Sequence, residues 1–368
     1  MIGTLTTRRS FFGLAGGAAL LCTIGGEDVE VSSPGGLDRA DAAAARVPRP
    51  RAAAAQQIPQ LQSAPGGIRR EYWIQAETVD WAITPRRRDE WHNRTFSSRN
   101  AFTAYVYREM TPGFAGYAGP AAIPGPRLVA EVGDVLVVHF RNADRRLTQA
   151  VTMHPHGVKY NPEYDGAYMG EFTRAGGFIA PGESFTYQWE CVPESAGAWP
   201  YHDHGPNHTV NTFRGLFGAI IVRPKGVRWP DRTYTLFAHQ LPPPITRLDG
   251  NFHCFNGRAY AGNTPTLRAR AGEDVEINAF GMDSNFHTFH IHGHRWMDPA
   301  GAFIDNPAMG PSRSWATQRI RRRSCCGRGE DAERQSSSTT PTRSRSTASW
   351  RATTSPTGSS SPTSTATP

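Results

Sequence analysis

Seven of the chain's thirteen histidines fall into three tight groups: His154 with His156, His202 with His204, and His287 with His290 and His292. Three of the spacings are i and i+2, and on an extended strand such residues point to the same face. Each pair therefore presents two imidazoles side by side, ready to reach one metal ion or two neighbouring ones. Imidazole nitrogen suits copper, zinc, iron and nickel, and copper stands highest in the affinity series. A zinc hydrolase is the rival chemistry. It needs only three or four protein ligands at one ion, and six paired imidazoles exceed that requirement.

Elements must place these pairs, and the sequence repeats its plan for doing so. From Pro126 to Phe140 the chain reads as a strand, a turn at Gly133 and Asp134, and a second strand; from Pro265 to Phe280 the same plan recurs around Gly272 and Glu273. Alternation through Leu267, Ala269, Ala271, Val275 and Ile277 has the period of half-buried strands. A histidine-rich segment follows each copy at a similar interval, as expected of two copies of one small β-sandwich. Further strands are expected over 184–191, 216–223 and 234–239, with breaks at Pro181-Gly182, Pro224-Lys225-Gly226 and Pro242-Pro243-Pro244. The fold class is therefore all-β, in two sandwich domains. Glycine (37) and proline (29) are plentiful, and no apolar stretch in the mature chain is long enough to span a membrane.

The motifs resemble those of the multicopper oxidases, and most closely the bacterial two-domain, small-laccase type. The likeness covers roughly residues 66–312. Besides the histidines it includes Tyr160 to Gly166, Gly215 to Gly218, and His292 with His294, Arg295 and Trp296. The resemblance implies two cupredoxin-like Greek-key β-sandwich domains at 66–226 and 227–312. It implies His154 and His290 as ligands of a type 2 copper, and His156, His202, His204 and His292 as ligands of a type 3 pair. It makes His287 one ligand of a type 1 blue copper. Tyr160 and Asp165 match positions beside the cluster, where a phenol can supply an electron and an acid can relay protons; a strand tyrosine and an Asp-Gly turn would look the same. His294 is read as structural, and Asn207 and His208 are left without a role. The family oxidises phenols, amines or metal ions and reduces dioxygen to water, so dioxygen and a small-molecule reductant are the expected partners. Intact relatives are expected to be homotrimers.

Asp203 stands where a domain carrying its own blue copper has a cysteine between two histidines. A carboxylate cannot replace the soft thiolate, so the blue site is expected in the second domain and a nitrite-reductase arrangement is disfavoured. That second domain should close with a His-Cys-His segment, yet no histidine follows His294. The second sandwich is therefore expected to be incomplete, its type 1 site unfinished and the type 2 and type 3 cluster only partly liganded. The oxidase is then impaired as it stands. A non-catalytic periplasmic copper-binding or copper-storage protein is the alternative reading.

The two ends differ from the body. Thr7, Arg8, Arg9, Ser10, Phe11 and Phe12 before a mild apolar run resemble a twin-arginine export signal over 1–25, which implies a periplasmic or secreted protein. Residues 26–65 read as a linker. Residues 313–368 hold 13 Ser, 11 Thr and 10 Arg with no Leu, Val, Phe, Tyr, Met or His. That composition predicts a disordered tail, or a GC-rich gene translated out of frame. Ten arginines against Glu330, Asp331 and Glu333 give the tail +7 of the chain's +8, so the basic balance describes the tail and a nucleic-acid partner is not expected. Five cysteines make no disulfide framework. Cys191 and Cys254 are either one disulfide or two small buried apolar residues.

Overall fold

A computed structural model of the chain describes residues 20–54, 58–283, 287–289, 291, 296–297, 303–304, 308–309, 316–320 and 347–351. It begins with a hairpin, β1 (Leu21–Ile24) and β2 (Glu27–Glu30), and a helix, α1 (Gly36–Arg46). The first sandwich follows with β3 (Arg69–Ala82), a small hairpin of β4 (Arg88–Asp89) and β5 (Arg94–Thr95), β6 (Ala101–Met110), β7 (Arg127–Glu131), β8 (Val135–Asn142), β9 (His154–Pro155), β10 (Ser184–Glu190), β11 (Gly197–His202), α2 (His208–Arg214) and β12 (Phe217–Arg223). Its sheets run β10-β8-β3-β6 and β7-β12-β11-β9. Between them lie Ile74, Tyr105, Tyr107, Leu128, Val138, Phe140, Tyr187, Trp189, Tyr201 and Ile220, all fully buried.

The second unit has β13 (Arg232–Leu241), α3 (Pro243–Thr246), β14 (Phe252–Phe255), β15 (Thr266–Arg270) and β16 (Val275–Gly281). Short strands follow: β17 (His287–Thr288), β18 (Trp296–Met297), β19 (Phe303–Ile304), β20 (Ala308–Met309), β21 (Ala316–Ile320) and β22 (Thr347–Arg351). The internal repeat is visible in the pairings. β8 lies parallel to β3, and β16 lies parallel to β13. The turns between β7 and β8 and between β15 and β16 both place a glycine at positive φ, Gly133 at 99° and Gly272 at 87°. The chain is all-β in architecture, with few helices.

Regular structure also flanks the sandwiches. Within the segment 26–65 lies α1, and together with the preceding hairpin it buries Cys22, Ile24, Val31, Leu37, Ala40 and Ala44 in one cluster with Trp81, Phe102, Val210, Phe213, Leu241 and Phe252. Leu37, Ala40 and Ala44 follow the i, i+3, i+7 spacing of a helix stripe, which an alanine-rich composition conceals. C-terminal to residue 312, β21 pairs antiparallel with β16 and β22 antiparallel with β15. β21 takes beside β16 the place that β10 holds beside β8. β22 has no such counterpart, because β7's partner β12 runs parallel.

Cys22, Cys191 and Cys254 are buried free thiols, so the disulfide alternative is set aside. Burial pushes the Cys22 thiol up to about 11 and Cys191 up to about 12. The arginine pair at residues 8–9, His290, His292 and His294 lie outside the described residues. Among the described residues, no helix is long and apolar enough to cross a membrane.

Candidate metal centre

The first two histidine pairs meet because β9 and β11 are neighbours in one sheet. They pair antiparallel with His154 opposite His202. β9 is only two residues long, since Pro155 has no N–H to continue the ladder; the His156 N–H nonetheless donates to the Pro200 carbonyl at 3.0 Å. Two glycines permit the crowding. A Cβ on Gly157 (φ 69°) would stand 1.9 Å from the Trp199 ring, and one on Gly166 (φ 72°) 2.1 Å from the Met153 carbonyl oxygen.

His154, His156 and His202 each offer a ligand atom within 4.8 Å of the others. His156 Nε2 and His202 Nε2 are 3.0 Å apart. Metal–imidazole bonds of about 2.0 Å at right angles set two nitrogens roughly 3 Å apart, so this spacing fits ligation of a shared ion. Two of the remaining ring nitrogens, those of His154 and His202, are already committed. His154 Nδ1–H donates to the Asp165 carbonyl at 2.6 Å, with the Asp165 carboxylate at 3.3 Å. His202 Nδ1–H donates to the Asp203 carbonyl at 2.8 Å. A carbonyl only accepts, so each bond fixes the tautomer and leaves Nε2 with its lone pair for a metal. The His204 ring lies 5.1 Å from that of His154, and its Nδ1 is buried without a hydrogen-bond partner.

Electrostatics keep His156, His202 and His204 in the ligand form. Burial first, then the neighbouring histidines, lowers His156 to about 4 and His204 to about 4. Burial and His156 push His202 well below its ordinary value. Neutral imidazole is the form that binds a metal ion. Burial alone would raise the Asp165 carboxyl, but the hydrogen bond and charge of His154, with the Tyr160 hydroxyl, hold it below the usual range. Burial and the Asp165 charge push the Tyr160 phenol upward. Tyr160, Asp165 and His154 thus form one connected group, with the Tyr160 ring 6.3 Å from His154.

Asp203 has a structural task that sequence reasoning did not anticipate. Its fully buried carboxylate accepts from Thr152 N at 2.8 Å, Gly205 N at 3.1 Å and Asn211 Nδ2 at 2.9 Å. Asn211 Oδ1 accepts from Gln149 Nε2, whose Oε1 accepts from Asn207 Nδ2. The network ties the loop before His154 to the one carrying His202 and His204. His208, also without an expected role, stacks on His204 at 4.6 Å and 17°. A polar run of Asn207, His208 and Asn211 was the available signal. Of the second-domain candidates, His287 starts β17, paired with Met309; His290 and His292 fall outside the described residues. His139 stacks on Trp73 and His92 pairs with Asp89, away from the cluster.

Two family models, each described as multicopper oxidase, match residues 112–226 and 237–354. The second reaches into the segment expected to lie beyond the fold. Among curated proteins, a probable nitrite reductase-hydroxylamine oxidoreductase fusion protein of Kuenenia stuttgartiensis is 30% identical over 206 residues, 52% of this chain and 23% of that protein. Human coagulation factor V is 28% identical over 250 residues, 61% of this chain and 11% of that protein. Mouse hephaestin is 26% identical over 298 residues, 62% of this chain and 25% of that protein. The chain thus spans about a quarter or less of the length of these curated relatives. A solved structure titled as a multicopper oxidase is 25% identical and aligns with 70% of this chain and 81% of its own at a TM-score of 0.49. The two family models and the paired imidazoles agree: the chain belongs to the multicopper oxidase family.

Proposed function

We propose that the protein is laccase-like in reaction class, a copper protein whose intact form oxidises phenols, amines or metal ions and passes electrons to dioxygen. The observation that carries the reading is the convergence of His154, His156 and His202 on one point, with the Nδ1 atoms of His154 and His202 committed to main-chain carbonyls. His154 would hold a type 2 copper together with His290. His156, His202, His204 and His292 would hold a type 3 pair, and His287 would serve a type 1 site. Copper bound there supplies the electron storage and the oxygen-binding centre that reduction to water requires. The chain's own groups orient the imidazoles, exclude water from their buried edges, and hold a proton at the Tyr160 hydroxyl against the Asp165 carboxylate. Asp165 would relay protons and Tyr160 would stand by as an electron source. A protein named as a ferroxidase among the relatives makes a metal ion one candidate electron donor.

Electron entry is the weak link. With no histidine after His294, the chain has no His-Cys-His segment to complete a type 1 site, and we expect copper binding without a blue band and with little oxidation of phenolic dyes. Copper reconstitution followed by absorption, paramagnetic resonance and oxygen-electrode measurements tests both parts. No bound copper sinks the family chemistry for this chain; a blue band with turnover sinks the impairment. The absence of that segment also favours a second reading, a non-catalytic copper-binding or storage protein of the periplasm. Tight copper binding without oxygen consumption, from a gene whose other two frames after codon 312 encode no strand-like sequence ending in His-Cys-His, supports it. Export by a twin-arginine signal and assembly as a homotrimer complete the proposal. Fractionation of the expressing cells and sedimentation of the full chain test them.

A further inference from the structure

We propose that residues 26–54 are a strap that positions the His202–His204 loop, acting through an ion pair between Asp41 on α1 and Arg214 on α2. The inference rests on the copper-site reading for its consequence, but the mechanical link stands without metal.

Arg214 is 3% exposed and grips Asp41 end-on, with both Nη atoms 2.6 Å from the two carboxylate oxygens. A buried guanidinium without its carboxylate is strongly unfavourable, so the pair fixes α2 only while the strap is docked. Leu37, Ala40 and Ala44 of α1 share a buried cluster with Val210 and Phe213 of α2. α2 and the turn that follows it hold Asp203 at two points. Asn211 donates to the Asp203 carboxylate, and the Asp203 N–H donates to the Leu216 carbonyl at 3.0 Å, two residues past Arg214. Asp203 sits between His202 and His204, and His208 at the start of α2 stacks on His204. The far end of the strap reaches the other wall of the site. Ala53 packs with Ala150 and Phe178, Arg49 lies over the Phe178 ring, and Tyr168, packed on that cluster, donates its N–H to the His204 carbonyl at 2.8 Å. Both ends of the segment therefore bear on the loop that carries two candidate ligands.

The test uses the full chain with and without copper. In copper-free protein, Asp41→Asn should speed amide exchange over residues 207–214 by at least about tenfold. In titrations against a competing chelator it should weaken copper binding by roughly tenfold, as loss of an outer partner of a ligand typically does. Asp41→Glu should restore most of both, and Arg214→Lys, which keeps the charge but loses the fork, should fall between. Asp38→Asn is the control: its partner Arg247 is on the surface, with both side chains more than half exposed, and it should change neither readout by more than about twofold. Unchanged exchange over 207–214 in both Asp41→Asn and Arg214→Lys overturns the strap. So does a mature protein that begins after Asp41 and binds copper as tightly as the longer chain. If the unaltered chain binds no copper the functional reading fails, while the exchange measurement still decides the strap. Should Asp41→Asn fail to fold, Arg214→Lys carries the same two measurements.

Discussion

A histidine becomes a ligand when its second nitrogen is occupied, and here main-chain carbonyls do that for His154 and His202. Replacing His202 by Ala should remove about one copper equivalent per chain, because its Nε2 is shared with that of His156 across 3.0 Å. Replacing His139, which stacks on Trp73, should remove none. Elemental analysis after reconstitution reads both, and equal loss in the two variants would mean that the cluster is not the copper site. Asp203→Ala makes a different prediction. Three donors lose their acceptor, and at roughly 1–3 kcal/mol for a buried unsatisfied group the variant should lose about 3 kcal/mol or more in urea unfolding. Asp203→Asn, which keeps the shape and one acceptor, should lose less. The grouping of the four first-domain histidines was legible in their spacing, although β9 ends at Pro155 and β11 at His202, so that only one member of each pair lies on a strand. The task of Asp203 and the stacking of His208 were not, since both depend on α2 folding back over a loop that precedes it.

At the scale of elements, the turn after β14 carries a pH-sensitive contact. His239 of β13 is buried, and its Nε2 accepts the Gly257 N–H at 2.9 Å, which only a neutral ring can do. Burial lowers it from 6.5 to about 4. A folded-state value below the unfolded one means the stabilisation is complete above about pH 6.5 and is lost as pH falls through about 4. The shift corresponds to about 3 kcal/mol. Copper-free protein should therefore weaken between pH 6.5 and 4 in denaturant unfolding, to which the buried cluster histidines also contribute, and His239→Gln should make that slope shallower; an unchanged slope would remove His239 as a contributor. The repeat strands were legible because turns at Gly133 and Gly272 punctuate strict alternation. The strap was not. α1 offers only one leucine and two alanines to the core, a stripe too slight to stand out against alanine-rich surroundings, and the partner that holds it, Arg214, is 173 residues from Asp41.

Among the described residues, the two sandwiches share one core. Trp81, Phe102, Phe217 and Ile221 from the first cluster with Phe237, Leu241, Phe252 and Phe280 from the second. The Trp81 indole N–H donates to the Gly257 carbonyl at 2.6 Å, and Arg258 lies over its ring at 3.8 Å. No pattern within either domain announces this, because apolar positions on a strand's outer face look like any half-buried alternation until a second sandwich covers them. One ion pair sits in that junction: Arg223 at the end of β12 and Glu276 in β16, with side chains 6% and 2% exposed. Removing the guanidinium takes away the charged partner of the Glu276 carboxylate and leaves the weaker Asn278 Nδ2 bond at 3.3 Å, a loss of up to about 3–5 kcal/mol for buried pairs. Because that loss falls on the junction rather than inside either sandwich, Arg223→Ala should do more than lower the unfolding midpoint. The single calorimetric transition expected of the unaltered chain should divide, with the second unit melting first: its core cluster is the smaller, and short strands supply much of its largest sheet. Arg223→Lys, which keeps the charge, should hold the two together. A variant that still melts in one transition at an unchanged midpoint would show that the apolar core alone couples the sandwiches.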